Sequence, residues 1–107
     1  MKKNDSFNQY VYILECTNGF YYTGYTTDIK RRYQEHVEGS SKCKYTRSFP
    51  PVKLAACWAI ESNDASLALK IEKAIKRLSK QEKSMLIEQP ESLKEIVVCD
   101  CRYKIIN

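Results

Sequence analysis

The stretch YVYILECTNGFYYTGY, Tyr10 to Tyr25, holds five of the chain's eight tyrosines. Phenylalanine would pack as well and carry no hydroxyl, so the concentration of phenols asks what the oxygens do. Downstream lie Lys30-Arg31-Arg32 followed by His36, a basic run of Lys42, Lys44 and Arg47 around Tyr45, and Glu72 among Lys70, Lys73, Lys76 and Arg77. These residue types have a common chemistry. A phenol drawn toward phenolate by a nearby cation can take a proton from water. A guanidinium presents paired donors to phosphate oxygens and stays charged. A carboxylate can hold a hard divalent cation that keeps most of its waters.

Each residue also has a plainer role. Tyrosines on paired strands are mostly half-buried packing residues whose hydroxyls reach the surface. Lys30-Arg31-Arg32 alone reads as a solvated helix face. His36, one turn after Arg32, could bind phosphate, assist proton transfer or hydrogen-bond the core. Glu72 has Lys76 four residues on, the spacing of an intrahelical ion pair.

The elements that must position these groups are legible in outline. Residues 10–16 and 20–25 are β-branched and aromatic, and turn residues separate them, which predicts a hairpin. Side chains alternate faces along a strand, so the turn decides whether Tyr12 and Tyr22 share a face. A two-residue Asn18-Gly19 turn pairs Thr17 with Phe20 and parts them. A three-residue Thr17-Asn18-Gly19 loop with a left-handed Gly19 pairs Leu14 with Tyr22 and makes the two phenols diagonal neighbours. Asn-Gly favours the shorter turn; shared chemistry requires the longer register or a compensating bulge.

Thr26, Thr27 and Asp28 offer N-cap oxygens ahead of Ile29, Tyr33 and Val37, an amphipathic helix ending at Gly39. Residues 39–51, GSSKCKYTRSFPP, are expected to form a polar basic loop, neither helix nor central strand. Residues 52–60 return to strand composition. Ser62, Asn63 and Asp64 are cap candidates for a helix carrying Leu67, Ile71, Ile75 and Leu78, and Ser79-Lys80-Gln81-Glu82 reads as a capping box for a third helix to about Ile87. Ile96-Val97-Val98 fits a strand or the inside of a helix. The expected class is α+β: a small three-stranded antiparallel sheet flanked by helices, in the order β-β-α-β-α-α. Residues 8–87 make up the expected functional domain, with 88–107 a C-terminal extension of unassigned role.

A chain of 107 residues with a net charge of +5 suits a single domain with an acidic partner. The N-terminal MKKNDSFNQ lacks the apolar core of a secretory leader, and no apolar run is long enough to span a bilayer, so a cytoplasmic protein with reduced cysteines is expected. Cys99-Asp-Cys101 with a distant histidine does not have the spacing of a zinc site.

The order Tyr10-Val11-Tyr12, Tyr22-Thr23-Gly24, a helical Arg and His, a KYTR basic loop and a later helix containing IEKAIKRLS resembles the GIY-YIG nuclease family, and more narrowly its small stand-alone bacterial members. The resemblance covers roughly residues 8–87 and rests on several landmarks in the right order. It implies hydrolysis of phosphodiester bonds in DNA with one Mg²⁺ or Mn²⁺ ion per site. It places the catalytic groups on Tyr12, Tyr22, Arg32, ten residues after Tyr22, and His36, with Glu72 as the metal ligand. Tyr12 would be the general base, Tyr22 would position water or phosphate, Arg32 would meet the charge of the transition state, and all would converge with Glu72 on one concave surface. Lys42, Lys44, Tyr45 and Arg47 mix cations with an aromatic ring, as a strand-binding loop does. Branched, nicked or single-stranded DNA are the substrate forms expected, with a protein partner as a route to targeting.

Tyr10, Val11 and Thr23 depart from the family motifs at strand positions that carry no reacting group. The polar residue, often Asn, that completes many sites of the family is not matched by Asn63, which precedes the helix, or by Asn107, the last residue. A DNA-binding module that keeps the fold without turnover is the competing reading.

Overall fold

The computed structural model describes residues 7–41, 43–61, 65–97 and 102–106. Lys42, the cap candidates at 62–64, Val98, Cys99 and Cys101 lie outside them. The chain forms β1 (Phe7–Cys16), β2 (Tyr21–Thr26), α1 (Ile29–Glu38), α2 (Lys44–Ser48), β3 (Pro51–Glu61), α3 (Ser66–Lys76), α4 (Lys80–Glu88), a 3₁₀ turn at Pro90–Ser92, α5 (Leu93–Ile96) and β4 (Tyr103–Ile105).

The class is α+β, but the antiparallel sheet has four strands, in the order β2-β1-β3-β4, where three were expected. The added strand, β4, pairs Tyr103 with Ile60 and Ile105 with Trp58. Three residues are too few for an alternating pattern to register, so only its neighbour on the sheet edge makes it a strand. A second correction falls on the basic loop, where Lys44–Ser48 is a short helix. Pro50 and Pro51 restrict the chain from Phe49 onward and do not reach back to the five residues before it.

The helix ends follow their sequence signals. Asp28 accepts from the Arg31 amide at 3.1 Å, Gly39 closes α1 with φ 72°, and Ser79 and Glu82 form the reciprocal capping box of α4.

The sheet has two different faces. Val11, Ile13, Ala56, Trp58 and Ile60 point toward α3, α4 and α5, and join Ala68, Ile71, Ile75, Leu86, Leu93 and Val97 in the main core. Tyr12, Leu14, Cys16 and Cys57 point the other way, where Ile29 and Tyr33 of α1 cover them. The segment after residue 88 continues the main core: Leu93 and Val97 are buried in it, and the Trp58 indole donates to the Pro90 carbonyl at 2.9 Å. Ile96, one of the ambiguous apolar residues, ends α5, and Val97 caps it in extended backbone.

Candidate active site

The hairpin adopts the longer register. The Cys16 amide donates to the Phe20 carbonyl and the Gly19 amide to the Cys16 carbonyl, both at 2.9 Å, with Gly19 at φ 83°. Leu14 therefore faces Tyr22, Tyr12 faces Gly24, and the two phenols become diagonal neighbours on one face. A left-handed Gly19 is what the extra loop residue requires.

Gly24 has a separate task. A Cβ built on it would stand 2.5 Å from Tyr12 Cζ, so the phenol ring lies across the bare backbone of the edge strand. Any side chain at 24 would evict it.

Helix α1 lays Arg32 and His36 against this face. The Tyr12 hydroxyl and His36 Nε2 are 2.8 Å apart, and His36 Nδ1 lies 2.7 Å from the Thr46 hydroxyl on α2. Thr46 in turn donates to the Cys43 carbonyl at 3.3 Å. Counting protons orients the chain. The single hydroxyl hydrogen of Thr46 is spent on Cys43, so Thr46 accepts from His36, and Nδ1 carries the ring proton. Nε2 is then bare and accepts from Tyr12. Arg32, which can only donate, also hydrogen-bonds the Tyr12 hydroxyl. Arg32 also donates to Glu35 at 3.0 Å.

Electrostatics agrees with that direction. Burial, then the Arg32 charge, lowers the His36 pKa to about 4, so the imidazole is neutral near pH 7. Burial raises the Tyr12 phenol despite the hydrogen bond from Arg32. The sequence expectation was a phenol pushed toward phenolate by its cation; in the folded protein desolvation outweighs the cation, and the adjacent unprotonated group is His36. His36 is fully buried and out of reach of a phosphate, and Tyr12 is only 1% exposed.

Tyr22 stands at the mouth. Its ring meets His36 edge-on at 5.2 Å and stacks on Tyr45 at 5.6 Å, and Tyr45 tilts against Phe49 at 5.4 Å. Lys44 and Arg47 are exposed on the same short helix as Tyr45.

Glu72 comes from a different helix. It lies on α3, which packs on the opposite face of the sheet, its side chain is 14% exposed, and it pairs with Lys76 at 3.4 Å. Among the described residues no three His, Cys, Asp or Glu side chains gather into a metal cage. A lone carboxylate fits a hydrated Mg²⁺ or Mn²⁺ completed by substrate oxygens, and does not fit a metal held wholly by protein. Cys16, Cys43 and Cys57 are free buried thiols. No helix among the described residues is long and apolar enough to cross a membrane.

Sequence reasoning did not single out Thr46, which sits inside the KYTR loop read there only for its charges. Its signal would have been a hydroxyl in reach of a buried imidazole, a relation between residues ten apart that only α2 creates.

Residues 8–85, which carry the β1–β2 hairpin with Tyr12 and Tyr22 and the following helix with Arg32 and His36, match the GIY-YIG catalytic domain. The chain belongs to the GIY-YIG family. Among its relatives, the UPF0213 protein BH0048 of Halalkalibacterium halodurans is 46% identical over 80 residues, covering 75% of this chain and 82% of that protein. A UPF0213 protein of Syntrophus aciditrophicus is 47% identical over 85 residues, covering 78% and 95%. A solution NMR structure of the UPF0213 protein BH0048 from Bacillus halodurans is 42% identical and covers 80% of this chain and 92% of that one, with a TM-score of 0.47.

Proposed function

We propose that the chain is a divalent-metal-dependent endonuclease that hydrolyses phosphodiester bonds in DNA. One observation carries the reading: the buried Tyr12 hydroxyl lies 2.8 Å from Nε2 of His36, whose imidazole is kept neutral by burial. A phenol in that position can take a proton from an attacking water while its own proton passes to His36, so no phenolate need build up in a dry site. Thr46 holds the imidazole in the tautomer that leaves Nε2 free.

Arg32 hydrogen-bonds Tyr12 and is tied to Glu35. An arriving phosphate would exchange for Glu35, drawing the guanidinium onto the scissile group and opening the phenol to water. Tyr22, at the mouth, would orient that water or a phosphate oxygen. Lys44 and Arg47, with Lys42 and Tyr45, would hold the strand without reading its sequence. Glu72 would hold one Mg²⁺ or Mn²⁺ ion, its remaining positions filled by water and substrate oxygens. When bound, the ion stabilises charge on the phosphate and on the departing oxygen.

A second reading, a DNA-binding module without turnover, has its own observation: Tyr12 is almost wholly buried and protonated. Nicking of supercoiled plasmid with Mg²⁺ or Mn²⁺, run beside Tyr12→Phe and Glu72→Ala, separates the two. Metal-dependent nicking by the wild type that both variants lose is the expected result. Plasmid binding with no nicking under either metal would overturn the nuclease reading.

A further inference from the structure

The polar site accounts for Tyr12, Arg32, His36 and Thr46, and leaves a row of rings unexplained. Tyr22, Tyr45 and Phe49 form a ladder with centroid spacings of 5.6 and 5.4 Å that leads outward from His36. Tyr22 is half-buried, Tyr45 is 36% exposed and the end ring, Phe49, 40% exposed. An exposed phenylalanine at the end of a stack buries little for the fold, and Phe49 belongs to neither buried cluster.

The ladder is held in place. Asn18, in the hairpin loop, donates from Nδ2 to the Tyr45 hydroxyl at 2.9 Å while its Oδ1 accepts from the Phe20 amide at 3.1 Å. The loop that sets the Tyr12–Tyr22 register thus also fixes the Tyr45 ring. Cations lie close by: Lys44 and Arg47 are exposed on the same helix as Tyr45, and Lys80 stands 5.2 Å over the 54% exposed ring of Phe20, whose amide Asn18 holds.

From this we propose that the site takes single-stranded DNA, with an unpaired base stacked on the Phe49–Tyr45 end of the ladder and its backbone phosphates on Lys44, Arg47 and Lys80. The inference rests on the nucleic-acid reading above and adds the substrate class. Charge alone would hold duplex and single strand alike. A base inside a duplex already has both π-faces covered by its neighbours. Only an unpaired base can add itself to an exposed ring, and such stacking tolerates any sequence. A ladder that begins against His36 would carry the strand toward the Tyr12 hydroxyl.

The test is binding without metal, in EDTA, so that turnover does not enter. Fluorescence anisotropy compares one oligonucleotide single-stranded and as a blunt duplex at equal salt, and a 2-aminopurine in the strand reports stacking by quenching. The wild type should bind the single strand at least about ten-fold more tightly and quench the probe, the size expected for one stacked base. Phe49→Ala should remove most of that preference and the quenching while leaving duplex affinity in place, and Phe49→Trp should retain both. Equal affinity for the two forms, or loss of duplex and single-strand binding together in a Phe49→Ala protein with an unchanged thermal melt, would overturn the proposal. Failure of the nuclease reading looks different: stacking and strand preference would be present while plasmid nicking is absent.

Discussion

The Tyr12 hydroxyl lies 2.8 Å from Nε2 of His36, and Thr46 on the far side of the ring fixes which nitrogen carries the proton. A buried phenol thus faces a bare imidazole nitrogen beneath an arginine. Tyr12→Phe removes the hydroxyl and little volume, so its effect on turnover should far exceed its effect on the fold. Nicking should fall by about 10²–10⁴-fold, the range for loss of a positioned acid–base group. Urea unfolding should show a loss of about 1–3 kcal/mol, because the buried Nε2 of His36 is left without its partner. A nicking rate within a few-fold of wild type would remove Tyr12 from the reaction.

Thr46→Val keeps the shape of the side chain and removes the acceptor for His36 Nδ1. A buried donor left without a partner costs about 1–3 kcal/mol. The ¹⁵N shifts of the imidazole should move away from a single Nδ1–H tautomer, and nicking should drop while DNA binding stays. Thr46→Ser should restore the tautomer. Ring shifts identical in wild type and Thr46→Val would show that Thr46 does not set the proton.

The His36 pKa near 4 in the folded state lies below its unfolded value of about 6.5. Between those values the unfolded chain binds the extra proton, so stability should rise with pH through this window and level off above it. Acidification from pH 6.5 toward 4 should therefore lower the urea midpoint, with the His36 contribution flat below that. In His36→Gln this part of the slope should vanish. An unchanged slope in the variant would place the titration elsewhere.

Thr23 lies on the α3 face of β2, and its hydroxyl is buried with no hydrogen-bond partner among the described residues. Thr23→Val should raise stability by about 1 kcal/mol, because it removes the desolvated oxygen and keeps the branched shape. A thermal melt lower than wild type would show that the hydroxyl has found a partner.

Charge reversal at Lys44 and Arg47 should weaken DNA binding across all sequences and flatten its dependence on salt, since each lost phosphate contact reduces the counterions released. Titrations at a low and a higher salt concentration measure both. An unaltered salt slope would locate the DNA elsewhere on the surface.

Much of the frame was legible in the sequence because it rests on short-range chemistry. Asp28 and Gly39 bound α1, Ser79 and Glu82 open α4, and alternating aromatic runs make the hairpin, each signal complete within a few residues. The spacing of Tyr12, Tyr22, Arg32 and His36 likewise marks the family from the chain alone. Tertiary structure decided what depends on distant neighbours. Asn18-Gly19 permits two registers, and the observed one puts Tyr12 over Gly24, where its ring has room. Lys44–Ser48 becomes a helix and brings Thr46 under a histidine ten residues away in sequence. Tyr103–Ile105 is a strand only because β3 offers an edge. The protonation of the site was decided there too: residue types predict a phenol made acidic by arginine, whereas burial, which no local pattern encodes, keeps the proton on Tyr12 and off His36.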